Sequence, residues 1–292
     1  MITLSGLAQA LLFGLANGCI YILLATGLNL IFGVMKLVNF AHGQLLMVGA
    51  FVAYEVTTIA GLSPYVSILV SMGTVALIGI VLEEFAFRKV RGTEKLNEIF
   101  ISLGLIYVFQ NVATLLWEKN YSIQIPSPLA GLSLAVGEVT IKYDLLLAVG
   151  IVIIILIGLV LLTKKTKVGL AMRATSQKSD ASMLMGININ RVYVFTFAVG
   201  AALAGAAGAL YGILFPFNPA IGALPTIKAF AIIILGGLGS IPGAVVGGLL
   251  YGVAESATGY LTNGTWADAV AFALLIAVLI IRPTGLFGEK GE

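Results

Sequence analysis

With 292 residues, of which 60% are hydrophobic and only 10% charged, the chain lacks the roughly 25% of charged residues with which a soluble domain covers its surface. The net charge of +3 comes from loop residues and not from one basic face, which sets nucleic-acid binding aside. The single cysteine, Cys19, lies in an apolar run and excludes an intrachain disulfide or a cysteine-rich metal site.

Apolar runs near or above about 18 residues, the length that crosses bilayer hydrocarbon, recur along the whole chain. The first, from Leu7 to about Val34, has no basic segment before it and is too long for the apolar core of a signal peptide, so it reads as a membrane span. Spans are expected at 7–33, 44–61, 65–87, 97–117, 144–163, 192–215, 226–260 and 267–281. The 226–260 stretch is interrupted at Gly236–Gly243 (GGLGSIPG) and has room for two short spans or a span and a half-helix. The fold class is therefore all-α. It is a polytopic transmembrane bundle of about eight spanning helices (eight or nine) with broken or re-entrant segments, forming one domain over 1–292.

Arg88, Lys89, Arg91 and Lys95 crowd one loop, and Lys164, Lys165, Lys167, Arg173, Lys178 and Arg191 another; together they hold ten of the 16 basic residues. Loop 118–143 carries only Lys119 and Lys142, and 216–225 carries none. Short loops rich in Lys and Arg stay in the cytoplasm, so 88–96 and 164–191 are expected inside, 118–143 and 216–225 outside. The tail after Ile281, with Arg282 and Lys290 against Glu289 and Glu292, is expected inside; the N-terminus has no basic residue to orient it.

Between the first two spans, Lys36–Gln44 (KLVNFAHGQ) places Asn39, His42 and Gln44 in a broken segment. Non-helical backbone at membrane depth must be buried in protein or line a water-filled cavity. The segment is either a wall or gate of a pathway or a short cytoplasmic turn. His42 is the only histidine, so it joins no histidine cluster on a metal. The second break, with Gly236, Gly237, Gly239 and Pro242, disfavours a continuous helix. It lacks the Gly-Lys-Ser/Thr of a phosphate loop, so it reads as a discontinuous helix beside the pathway. The segments 43–55 and 243–255 share a spacing: each opens on glycine after a break and reaches Glu55 or Glu255 twelve residues later. Two such halves are a transporter device, and chance likeness of two apolar stretches is the alternative.

Glu55, Glu255 and Lys228 are charges within apolar runs, each needing a partner, an aqueous cavity or the interface. Pathway or interhelical pairing and interfacial placement are both open for the two glutamates, while Glu83 and Glu84 read as interfacial. Nothing converges as a catalytic set. The stripes Gly200, Ala204, Gly208, Gly212 and Ala244, Gly248, Gly252 allow close backbone approach between helices, within the chain or between subunits.

The loop Thr166–Arg191 is too long and patterned for a turn. Ser179 or Asp180 could cap a short helix carrying Ala181, Met183, Leu184 and Met185 and ended by Gly186. Apolar side chains on a cytoplasmic surface need a partner, so the loop reads as a docking element, the alternative being a loop folded back on its own helix ends.

At these residues a family likeness emerges. G-L-x-M-R-A with A-S-M-L-M-G-I-N-I-N-R-V resembles the coupling loop in permease subunits of branched-chain amino acid ABC importers. N-F-A-H-G-Q (39–44), L-G-G-L-G-S-I-P-G-A (235–244) and R-P-T-G-L-F-G (282–288) are similar to that family too, in order over nearly the whole chain. The C-terminal pattern resembles the shorter of two non-identical permeases. The resemblance implies a multi-pass permease of a prokaryotic cytoplasmic (inner) membrane, paired with a second permease, two cytoplasmic ATPases and a periplasmic binding protein. ATP hydrolysis would lie on the partners, so this chain would be no enzyme and hold no cofactor or metal. The resemblance puts coupling to the ATPase at Gly169, Met172, Arg173, Ala174, Ala181, Leu184, Met185 and Gly186, within a coupling loop of about 164–191. The external loop 118–143 would meet the binding protein. Pathway candidates are Asn39, His42, Gln44, Glu55, Gly236, Gly237, Gly239, Pro242 and Glu255. The solute would be a branched-chain or related amino acid, with urea and amides as relatives' solutes. The competing reading is an ion-coupled secondary carrier or channel using Glu55, Glu255 and His42.

Overall fold

The structure, a computed structural model, describes residues 3–117, 122–262, 264 and 266–288. Lys119, Glu289, Lys290 and Glu292, which entered the charge argument, lie outside the described residues. In chain order the elements are α1 (Leu4–Met35), α2 (His42–Thr58), α3 (Pro64–Val90), α4 (Lys95–Trp117), a hairpin of β1 (Ser133–Val136) and β2 (Val139–Lys142), and α5 (Tyr143–Lys165). Two short helices follow, α6 (Lys167–Gln177) and α7 (Ser179–Leu184), then α8 (Ile189–Leu214), α9 (Ala223–Gly236), α10 (Ile241–Leu261) and α11 (Ala267–Ile281).

Local chemistry sets the ends of these helices. The Thr3 hydroxyl accepts from Gly6 N–H at the start of α1, and Asn188 and Ser240 cap α8 and α10 in the same way. Pro64 opens α3, where a missing N–H costs nothing. α1 stops at Lys36, held in the left-handed region at φ 54° with its N–H on Phe32 O. Within α3, Glu83–Phe87 forms a π-helical turn.

Burial separates centre from rim. In the most apolar window of each span, 83% of residues are buried in α1 and 72% in α8, against 11% in α4 and 22% in α5. α1 lies against α10 and α8, and α8 against α2 and α3. α4 and α5 leave most of their apolar surface exposed. The glycine stripes do the central packing: a Cβ on Gly208 would sit 1.9 Å from Leu46 O, one on Gly252 2.5 Å from Gly14 O, and one on Gly200 2.8 Å from Gly27 O. Both stripes are thus used inside the chain.

The expected spans match the observed helices closely, but their number needs correction. Among the described residues five helices are long and apolar enough to cross a membrane, or six when α9 and α10, bent by 118° at their break, count as one span. The expectation of about eight included α2 and α11, which have only 17 and 15 residues. These fall short of the roughly 18–20 that span hydrocarbon unaided.

The ends of the bundle sort by charge. At one end Arg91 donates to Asn190 Oδ1 at 2.5 Å and lies 4.4 Å over the Tyr193 ring, joining the two basic loops. At the other, Ile123 and Phe217 exchange backbone hydrogen bonds and Gln124 Nε2 donates to Ile213 O at 3.0 Å, joining the two loops poor in basic residues.

Candidate functional site

The segment Lys36–Ala41 leaves α1 and turns back into the bundle, so that α2 begins at buried His42. Asn39, His42 and Gln44 are at most 1% exposed, and the short water-facing turn is not what forms. Asn39 Oδ1 accepts from Ala41 N–H at 2.9 Å, and Gly43 N–H donates to Thr226 Oγ1 of α9 at 3.0 Å. Gly43 is required here: an added Cβ would lie 2.1 Å from both Gly222 O and Thr226 Oγ1. Among the described residues Asn39 Nδ2 and Gln44 Oε1 have no hydrogen-bond partner, and His42 is fully buried beside them. The starts of α2 and α9 therefore meet inside the protein with unused polar capacity around them.

The glycine break is a separate place. Gly237 and Gly239 adopt φ of 103° and 85°, which lets α9 end and α10 start within four residues. Gly236 and Gly243 pack back to back at the vertex, a Cβ on Gly236 falling 2.1 Å from Gly243 O. Asn29 of α1 grips the turn with both ends of its amide, Nδ2 donating to Ser240 O at 2.8 Å and Oδ1 accepting from Gly239 N–H at 2.7 Å. The C-terminal tail closes it from below: Leu286 and Phe287 N–H donate to Leu235 and Gly236 carbonyls at 2.9 Å. LGGLGSIPGA and RPTGLFG are thus one structural unit. Pro242, exposed in the first turn of α10, does no more here than start that helix.

The two glutamates also part company. Glu55, half-buried near the end of α2, accepts from the Trp117 indole N–H at 2.5 Å. Glu255 belongs to a charge cluster that ties α9, α10 and α11. Lys228 Nζ lies 2.5 Å from Glu255 Oε1 and 2.9 Å from Asp268 Oδ1. The Tyr21 hydroxyl donates to Glu255 Oε1 and accepts from Lys228, each at 3.4 Å. The pathway candidates thus fall into four places: the α2 start against α9, the glycine break, the Lys228–Glu255 cluster, and Glu55 against Trp117 near the end of α2.

At the basic end the expected docking helix is α7, with Ser179 and Asp180 in its first turn, Lys178 at its cap position and Gly186 (φ 81°) beyond its end. Leu184 and Met185 are 89% and 83% exposed; Arg173 and Ala181 are also exposed and Ala174 half-buried. Met172 is buried, and Gly169 packs on the Leu162 and Thr163 carbonyls, so these two seat α6 and do not face outward. Glu83 is fully buried in the protein: Arg88 and Arg91 hold its two oxygens at 2.8 and 3.1 Å, while Glu84 is an exposed partner of Arg88 at 3.3 Å. Through Arg91 and Asn190 this network joins the π turn of α3 to the exit of the docking loop.

Sequence reasoning missed Asn29, Thr226, Asp268, Tyr21 and the Glu83 role. The first four lie far along the chain from their partners, whereas Glu83 is only five and eight residues from Arg88 and Arg91; an asparagine in the middle of an apolar span was the one available signal for the distant set. It also read 167–177 as loop, where Thr166 caps a helix through Gly169 N–H, and did not anticipate the outer hairpin. That hairpin borders a cleft of about 310 Å³ that includes Ser127 and Asp144.

Comparison with known proteins covers nearly all of this architecture. A family profile described as "Branched-chain amino acid transport system / permease component" matches residues 10–279. The chain is 36% identical to the high-affinity branched-chain amino acid transport system permease protein BraD of Pseudomonas aeruginosa, over 96% of this chain and 95% of the relative. It is 32% identical to the high-affinity permease protein LivH of Escherichia coli K12, over the same shares. It is also 32% identical to the "Probable branched-chain amino acid transport permease protein LivH" of Methanocaldococcus jannaschii, over 91% of this chain and 88% of that one. No solved structure matches the chain.

Proposed function

Since the chain belongs to the family of branched-chain amino acid transport permease components, we propose that it is the membrane-spanning permease subunit of an ATP-driven importer for branched-chain or related amino acids. The observation that carries this reading is similarity along the whole length to permeases of such systems. In this reading the chain is a single permease domain that pairs with a second permease in a prokaryotic cytoplasmic membrane. It receives solute from a periplasmic binding protein at the hairpin end and docks two ATPases at the basic end. Leu184 and Met185 support the docking role, because nearly full exposure of two large apolar side chains beside basic residues is a surface awaiting a partner. Closure of the ATPases would move α6 and α7 and, through Arg91 and Glu83, bias α3 and α8 between two arrangements. Residues of the α2 start, the glycine break and the Lys228 cluster would border the solute's path.

The test is co-expression with a candidate second permease, ATPases and binding protein, followed by uptake in proteoliposomes with labelled leucine, isoleucine, valine, other amino acids and urea. The expected result is a stable complex and ATP-dependent uptake of branched-chain amino acids. Absence of a complex together with uptake driven by an ion gradient overturns the importer reading in favour of an ion-coupled carrier.

A further inference from the structure

The Lys228 cluster is not built as a purely structural lock. One ammonium faces two carboxylates: Lys228 and Glu255 form a largely buried pair, while Asp268 meets the same ammonium from a half-exposed position. Its bonding capacity is also unfilled: Glu255 Oε2 and the hydroxyl of fully buried Tyr251 have no partner among the described residues. A cavity of about 110 Å³ opens beside it between α1 and α8, lined by Asn17, Ile20, Tyr21, Tyr211 and Phe215. Tyr21 belongs to both, its ring forming a cavity wall and its hydroxyl bridging Lys228 and Glu255. Asn17, one helical turn before Tyr21 on the same face, has a buried, unpartnered Oδ1. The cavity lies toward the end of the bundle that carries the hairpin, since Phe215 leads into the strand-like pairing of Phe217 with Ile123.

We infer that this cluster and cavity form a binding site for an α-amino acid, in which the Lys228–Glu255 pair opens and is replaced by Lys228 with the α-carboxylate and Glu255 with the α-ammonium. The inference rests on the amino-acid permease reading above. The exchange leaves the net buried charge unchanged, which a solute with both signs on one head group allows; an anion would pair with Lys228 but leave Glu255 unpaired, and a neutral solute would leave both ions unpaired. The unfilled acceptors, Glu255 Oε2 and Asn17 Oδ1, suit the three N–H donors of an ammonium. An apolar cavity of about 150 Å³ takes a benzene-sized guest, so one of 110 Å³ has room for a short branched side chain while the head group stays at the ion pair. Ile20, Tyr211 and Phe215 supply the apolar wall.

The experiment uses the complete complex in proteoliposomes with saturating leucine-loaded binding protein, reading leucine uptake and ATP hydrolysis together. Leucine uptake by the unmodified complex comes first, and its absence overturns the amino-acid reading and this site with it. Lys228→Met with Glu255→Gln removes both charges of the buried pair; Asp268 loses its ammonium but is half exposed and keeps its contact with solvent. The expected result is a drop in uptake of roughly tenfold or more, with ATP hydrolysis still stimulated by the binding protein. Uptake and coupling equal to the unmodified complex make the pair structural and overturn the site alone. Asn17→Phe fills the cavity without touching the pair and keeps the question open to refutation should the double variant fail to insert. It is expected to lower leucine uptake more than valine uptake; an unchanged leucine-to-valine ratio overturns the assignment.

Discussion

Gly208→Ala is a single added methyl whose cost can be worked from the packing. Its Cβ would lie 1.9 Å from Leu46 O, 2.8 Å from Leu46 C and 2.9 Å from Ala50 N, all backbone atoms of α2 that no rotamer change can move. Contacts closer than 3.0 Å are not adopted, so α2 and α8 must part by about 1.1 Å at this point. A gap of about that size forfeits a quarter to a half of the dispersion energy across the seam. The same seam is close-packed elsewhere, since a Cβ on Gly49 of α2 would fall 2.6 Å from Gly205 O of α8. Overpacking a rigid contact costs about 1–3 kcal/mol, and this site belongs at the upper end. Gly73→Ala is the control: it is also mid-helix, but nothing lies within 4 Å of its Cβ, and the helix gains about 0.5 kcal/mol from the lost backbone freedom. Thermal unfolding in detergent, followed by loss of the monodisperse peak, should show an apparent Tm lower by about 5 °C or more for Gly208→Ala and unchanged or slightly higher for Gly73→Ala. A Gly208→Ala protein as stable as the unmodified chain would refute the close-packed seam.

Leu184→Asp with Met185→Asp alters two side chains that touch nothing in the chain, so stability should hold while ATPase co-purification is lost; retained co-purification removes the docking assignment. Glu83→Ala should cost about 2–3 kcal/mol because two arginines lose their buried carboxylate, while Glu84→Ala should stay within about 0.5 kcal/mol, both read as apparent Tm. Equal effects would mean that the π turn does not depend on the ion pairs. Asn29→Ala strands the Gly239 N–H and the Ser240 carbonyl and should destabilise by about 2–4 kcal/mol, with protease cutting at 237–240 becoming faster. Unchanged cutting would show that the tail alone holds the turn.

The spans were legible because lipid imposes a length and an apolar composition, and each of the eight expected ranges overlaps a helix. The short helix α7 was legible through its closing glycine, although Lys178 stands at its cap position and neither Ser179 nor Asp180 caps it. Less of the candidate site could be seen. Glu55 and Glu255 occupy like positions in like segments, yet one meets Trp117 and the other Lys228 and Asp268, because the helices packed beside them differ. The broken segment 36–44 was recognisable as broken, but its burial against Gly222 and Thr226 follows from where α9 lies.

By itself the sequence determined the membrane class, the helix boundaries to within a few residues, the segregation of basic loops to one end and the places where helices break. These depend on local quantities: hydrophobic length, charge, and the backbone freedom of glycine and proline. Only the tertiary structure decided which glycines are needed for close approach, that Glu83 is buried and Glu84 is not, and that Lys228, 27 residues from Glu255 and 207 from Tyr21, meets both. Those outcomes depend on which backbones touch across the bundle, and no local pattern along the chain encodes a distance between helices.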